Sequence, residues 1–165
     1  MENKRVEFRA ACIQDVPLIL GFIKALAGYE KMEDEVVATE ELLREWIFEK
    51  QKAEVIFICE NGREAGFALF FHNFSTFLGR AGIYLEDLFV YPEYRGRGYG
   101  RALICKLAQI ALSRGCGRLE WACPDWNIRS IDFYLSLGAR PMDEWTVYRV
   151  CGKTLDELAL SAGKA

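Results

Sequence analysis

The run Leu85-Glu86-Asp87-Leu88-Phe89-Val90-Tyr91-Pro92-Glu93-Tyr94-Arg95-Gly96-Arg97-Gly98-Tyr99-Gly100-Arg101 carries three signals in succession. An apolar stretch with β-branched and aromatic residues ends at Pro92. A basic, glycine-rich turn follows. Then Ala102 to Ser113 places Leu103, Leu107 and Ile110 at helical spacing. The order is strand, glycine loop, helix. Glycines at 96, 98 and 100 carry no Cβ to hold a ligand off the backbone, and they permit positive φ. Successive amide N–H groups can then face an anion, and the start of the helix adds partial positive charge. Arg95, Arg97 and Arg101 add full charges. The chemistry suits a phosphate or pyrophosphate; a tight turn with solvated arginines is the alternative.

Two nucleotide motifs fail here. For Gly-x-Gly-x-x-Gly the third glycine falls on Arg101 or Leu103. Gly152-Lys153-Thr154 has the tail of a P-loop, but its first glycine would be Val147. At 165 residues the chain has the length of one domain with a proper core, and 52% apolar residues exclude disorder. No apolar run reaches the roughly 18 residues of a membrane span, and the N-terminus does not read as a signal peptide. A net charge of −3 argues against nucleic acid as the main partner. Six cysteines, at 12, 59, 105, 116, 123 and 151, show no Cys-x-x-Cys pair, and His72 is the one histidine. No metal site is expected. Reduced thiols and a cytoplasmic location follow as the default. One histidine also weakens any Ser-His or Cys-His scheme, and His72 reads as a strand or loop residue.

Working outward, residues 4–10 read as a strand, and Asp15 and Pro17 open a helix that Gly28 ends. Tyr29 to Glu35 holds four acids, either a solvated loop or a negative wall. Thr39 starts a second helix. Glu54–Glu60 and Glu64–Phe71 form a hairpin about Asn61-Gly62. Residues 72–80 read as a loop and Ala81–Val90 as the next strand. After the helix, Arg118–Cys123 closes a β-α-β unit, whose strand ends are where ligands bind. Asn127 caps a short helix that Gly138 closes. Trp145–Cys151 reads as a last strand and Thr154–Leu160 as a terminal helical turn or two.

Arg95-x-x-Gly98-x-Gly100 resembles the acetyl-coenzyme A pyrophosphate loop of the GNAT N-acetyltransferase superfamily. Within it the chain is similar to the spermidine/spermine (diamine) and thialysine acetyltransferases. The residues that carry this are Tyr29-Glu30-x-Met32-Glu33, Tyr84-Leu85-Glu86-Asp87-x-Phe89-Val90, Tyr94-Arg95-Gly96-x-Gly98-x-Gly100 and Trp126-Asn127-x-x-Ser130-Ile131-x-Phe133-Tyr134-x-x-x-Gly138-Ala139. Ile128-Arg129 and residues 72–82 depart from the family pattern, the latter in a substrate wall. The resemblance implies an α/β (α+β) GNAT fold: a single domain over 1–165, with a mixed sheet of about six to seven strands and about four helices.

It also implies roles. Acetyl transfer to an amine needs the amine neutral, although a free alkylammonium has a pKa of about 10. It needs a donor for the developing oxyanion and a proton for the leaving sulfur. The amides of Gly96, Arg97, Gly98, Tyr99, Gly100 and Arg101, with Arg95, would hold the pyrophosphate of acetyl-coenzyme A. Leu88, Phe89 and Val90 would pair with its pantetheine arm, and Asn127 and Ser130 would add contacts. Tyr134 would protonate the sulfur; by spacing alone it also reads as a core aromatic. Glu86 would act as base through ordered water. Tyr29, Glu30, Glu33 and Asp87 would hold a cationic acceptor. A small amine substrate and a homodimer are implied, with no metal and no nucleic acid or membrane partner. A protein lysine or N-terminus, an aminoglycoside, or a non-catalytic coenzyme A-binding role are the alternatives.

Overall fold

The computed structural model describes residues 4–162. Five strands, β1 (Val6–Ala10), β2 (Glu54–Glu60), β3 (Arg63–Ser75), β4 (Arg80–Val90) and β5 (Leu119–Trp121), form one sheet in that order. The first four pair antiparallel, and β4 and β5 pair in parallel. The helices are α1 (Val16–Glu30), α2 (Glu40–Leu43), α3 (Tyr99–Ser113), α4 (Ile128–Ser136) and α5 (Gly152–Ser161). The chain divides into two compact units, one up to Ala122 and one from Cys123.

The first unit is a sheet covered on both faces. One face presents Phe57 of β2, Phe67 and Leu69 of β3 and Phe89 of β4 to Ile19 and Phe22 of α1. Phe22 stacks on Phe67 with ring centroids 4.8 Å apart, and the Tyr91 ring lies 4.5 Å from it, tilted. Replacing Phe22 by alanine removes the hub of this cluster, a loss of about 3–5 kcal/mol. α3 packs on β3 and β4 and buries Leu103 and Leu107 completely. Alternation along β2 and β3 sends Ile58, Ala68 and Phe70 to the face opposite Phe57 and Phe67; all three are buried.

Local chemistry explains most boundaries and several departures from expectation. Asn61 and Gly62 have φ of 52° and 78°, as a two-residue hairpin turn demands. Thr39 caps α2 by accepting from Leu42 N, and the chain continues as a π-helical turn over Arg44–Glu49. Asp15 does not cap α1. It accepts from Cys12 N and grips Arg9 with both oxygens, at 2.7 and 2.8 Å. α1 passes Gly28 and runs to Glu30, because Lys31 takes the left-handed turn (φ 59°) while Met32 N donates to Ala27 O. Gly28 serves close approach instead: a Cβ there would lie 3.3 Å from Glu33 Oε1.

Residues 72–75, expected in a loop, extend β3, paired with Ile83 down to Arg80. β5 is shorter than Arg118–Cys123. Among the described residues, five strands replace the expected six to seven and five α-helices the expected four. Trp145–Cys151 forms no strand: apolar alternation makes a strand only with a ladder partner, and here Val147 and Tyr148 are 86% and 90% exposed. In the second unit, Asn127 caps α4 and Gly138 (φ 86°) ends it, with Ala139 N and Gly138 N donating to Tyr134 O and Leu135 O.

Candidate active site

β4 hands the chain to α3 through a short 3₁₀ turn, in which Tyr94 N donates to Tyr91 O and Arg95 N to Pro92 O. Gly96 and Gly98 follow with φ of 75° and 82°. A Cβ on either would meet nothing within 4 Å. Backbone conformation, not crowding, therefore requires glycine, and the space above the loop is open. The first bond of α3 runs from Ala102 N to Gly98 O. The amides of Tyr99, Gly100 and Arg101 precede it and have no intrahelical acceptor. Left-handed glycines flanking Arg97, followed by a helix start, make a concave row of donors for an anion. The pyrophosphate of acetyl-coenzyme A fits this donor set.

The arginines are arranged differently from the simple reading. Arg101 is exposed on the first turn of α3. Arg95 Nε donates to Val90 O at 2.9 Å, and its guanidinium lies 5.0 Å from the Tyr29 ring and 5.3 Å from Phe89. Arg97 reaches Glu60 Oε1 at 2.5 Å and Glu93 O at 2.9 Å and covers Tyr94. Tyr99 donates its hydroxyl proton to the other Glu60 oxygen. Glu60, which the sequence reading passed over, is thus tied to two loop residues although it ends β2. The available signal was a carboxylate closing an otherwise apolar strand just before a hairpin turn.

β5 accompanies β4 only from Ile83 to Leu85. From Glu86 to Val90, β4 pairs with β3 alone, so its other edge offers backbone groups to an extended ligand arm. The Phe89 side chain belongs to the core, which leaves its main chain for that role. The same stretch carries a bulge. Leu69 pairs with Asp87 and Phe70 with Leu85, leaving Glu86 without a partner. Strict alternation, which separates Glu86 from Asp87 on opposite faces, is broken here.

Asp87 is buried within electrostatic reach of two other carboxylates, Glu86 beside it on β4 and Glu30 at the end of α1. Burial pushes Asp87 up to about 6, and the negative charges of Glu86 and Glu30 add to the effect. Burial also raises Glu30. The Tyr84 phenol is raised by burial and by Glu86 and Glu120. Glu33 opens the exposed turn beside Gly28. The end of α1 thus reaches both regions: the Tyr29 ring lies beside the Arg95 guanidinium of the loop, and the charge of Glu30 acts on Asp87 of β4.

The second unit holds the remaining expected residues. Asn127 is 7% exposed, and its Oδ1 accepts from Ser130 N at 3.3 Å. Ser130 and Tyr134 stand one turn apart on one side of α4. Tyr134 is half-buried, its ring 5.1 Å from that of Phe133. Cys12, Cys59, Cys105, Cys116 and Cys151 take part in no disulfide. Among the described residues no group of three or more His, Cys, Asp or Glu could hold a metal ion, and no helix is long and apolar enough to cross a membrane. His72 lies on β3, 3.4 Å from Arg114.

The model of the acetyltransferase (GNAT) family matches residues 22–139. The thialysine N-epsilon-acetyltransferase of Bos taurus is 39% identical over 93% of this chain and 97% of its own. The spermidine/spermine N(1)-acetyltransferase-like protein 1 of Homo sapiens is 29% identical over 93% of this chain but 24% of its own length. Among solved structures, an integron cassette protein from the mobile metagenome of V. cholerae superposes with a TM-score of 0.78 at 31% identity, covering 93% of this chain and 97% of that one.

Proposed function

The chain belongs to the GNAT acetyltransferase family and is an acetyl-coenzyme A-dependent N-acetyltransferase, and from that premise we propose that it acetylates the terminal primary amine of a small cationic acceptor of the thialysine, diamine or polyamine type. The carrying observation is that the charges of Glu86 and Glu30 act on the buried Asp87, just past the point where β4 loses its neighbour β5. Such a concentration of negative charge attracts an ammonium group, and holding it orients the amine. The likeness to a thialysine acetyltransferase supports an amino-acid-like acceptor; the weaker likeness to a spermidine/spermine acetyltransferase-like protein supports a polyamine.

Bound acetyl-coenzyme A supplies an activated acyl group, and the acceptor amine attacks it directly within a ternary complex. Glu86 takes the amine proton through an ordered water. Asp87 and Glu30, with Tyr29 and Glu33, hold the acceptor's positive charge. The amides of residues 96–101 and the side chain of Arg101 bind the pyrophosphate, and the edge of Leu88, Phe89 and Val90 pairs with the pantetheine amides. Asn127 and Ser130 add cofactor contacts, and Tyr134 donates a proton to the departing sulfur. These roles on α4 rest on the family resemblance.

One domain over the whole chain fits a family match that runs across both units. A homodimer fits the exposure of Trp145 and Tyr148, 71% and 90%. A cytoplasmic location fits the absence of any disulfide at Cys12, Cys59, Cys105, Cys116 and Cys151.

The test is coenzyme A release with thialysine, spermidine, spermine, putrescine, lysine, an aminoglycoside and a lysine peptide. Saturable turnover is expected on one di- or polyamine-like compound. Tyr134→Phe and Glu86→Gln should each lower kcat by about 10²-fold or more, with little change in coenzyme A affinity. Turnover restricted to the peptide or the aminoglycoside overturns the proposal.

A further inference from the structure

Glu60 ends β2 and is 8% exposed, yet both of its carboxylate oxygens serve the glycine loop. Oε1 accepts from Arg97 Nη1 at 2.5 Å, and Oε2 accepts from the Tyr99 hydroxyl. Lys4 Nζ stands 4.0 Å off. The second Arg97 nitrogen donates to Glu93 O, and the guanidinium covers the Tyr94 ring at 5.2 Å. The loop residue between the two left-handed glycines is thus fastened on three sides, and the first residue of α3 is fastened to the same carboxylate. Two glycines with open space around them give a loop many conformations. Something outside the loop must select the one in which successive amides converge.

We propose that Glu60 is a positioning residue for acetyl-coenzyme A, locking the loop of residues 96–99 through Arg97 and Tyr99 into its pyrophosphate-binding conformation. The Arg97 side chain acts in this lock and does not contact the phosphates; only its backbone amide does. The inference rests on the reading of the loop as the pyrophosphate site. It assigns the direct charge to the backbone amides and Arg101. A preformed loop binds its ligand without an ordering cost.

The experiment is equilibrium binding, by calorimetry, of coenzyme A and of pantetheine, which lacks the pyrophosphate. It compares wild type with Glu60→Gln, Arg97→Gln and the double variant. The glutamine amide can accept from only one of the two donors and turns its own N–H groups toward the other. Glu60→Gln should weaken coenzyme A by about tenfold, equivalent to about 1.4 kcal/mol, and leave pantetheine unchanged. The double variant should be no weaker than Glu60→Gln, because residues acting as one unit are not additive.

Equal loss for both ligands overturns the inference, since that is the signature of general damage. So does full additivity, which would put Arg97 on the phosphate independently. A Glu60→Gln variant that still favours coenzyme A as strongly as wild type overturns it while leaving the loop's role intact. A wild-type chain that binds both ligands equally overturns the pyrophosphate reading and this inference together. If Glu60→Gln does not fold, Tyr99→Phe removes one of the two donors and carries the same comparison.

Discussion

Asp87 is the side chain whose environment departs most usefully from that of a free carboxylate. In the folded chain it titrates near 6 instead of near 3.8. Between those values the folded state keeps a proton that the unfolded chain has released, so stability falls as pH climbs through this window. At neutral pH the cost reaches at most about 3 kcal/mol. Asp87→Asn should therefore raise the urea midpoint at pH 7.5 and leave it nearly unchanged at pH 4. The same residue should give kcat/KM an acid limb near pH 6 that Asp87→Asn abolishes. A limb that stays in place removes Asp87 from acceptor binding. The sequence shows the acids at 30, 86 and 87 plainly. It does not show their meeting, which depends on a helix end and a strand brought together by the core. Arg95 and Arg97 teach the same lesson. Their positions in the loop are local and legible, whereas their partners are set by tertiary structure: Tyr29 and Phe89 for one, Glu60 for the other.

At the scale of elements, the strand-loop-helix unit was readable because glycine spacing and helical periodicity are local properties. The bulge was not, since it exists only relative to the register of β3. Gly66 of β3 shows how closely the two strands meet: a Cβ there would lie 2.8 Å from Phe89 O and 3.0 Å from Val90 Cγ2. Gly66→Ala should push the end of β4 that lies beyond its pairing with β5 away from β3 and cost about 1–3 kcal/mol. It should also raise the KM for acetyl-coenzyme A, because the displaced segment is the edge assigned to pantetheine. Denaturation and kinetics on one preparation check both. The expected strand over Trp145–Cys151 failed for the opposite reason. Its residues, Trp145, Val147, Tyr148 and Val150 among them, favour a strand, but a strand also needs a partner that local sequence does not show.

For the whole molecule, the first unit carries the core and the second carries much of the exposed apolar surface. Trp126, Trp145, Val147 and Tyr148 are 59%, 71%, 86% and 90% exposed. The proposed homodimer would cover residues of this kind. Tyr148→Asp should convert a dimer into a monomer in light scattering while the first unit's far-ultraviolet signature persists; a wild-type monomer at the highest attainable concentration removes the homodimer proposal. The bulge has a consequence on the scale of lineages. Because Glu86 has no partner on β3, loss of its single codon would let Leu85 and Asp87 close up as consecutive rungs, with every other pairing kept. Descendants of such a deletion would inherit the sheet and the glycine turn but lack the residue proposed as the amine-side acid. On that proposed role, a coenzyme A-binding paralogue with crippled transferase activity stands one in-frame deletion away, closer in mutational distance than any rebuilt acceptor pocket.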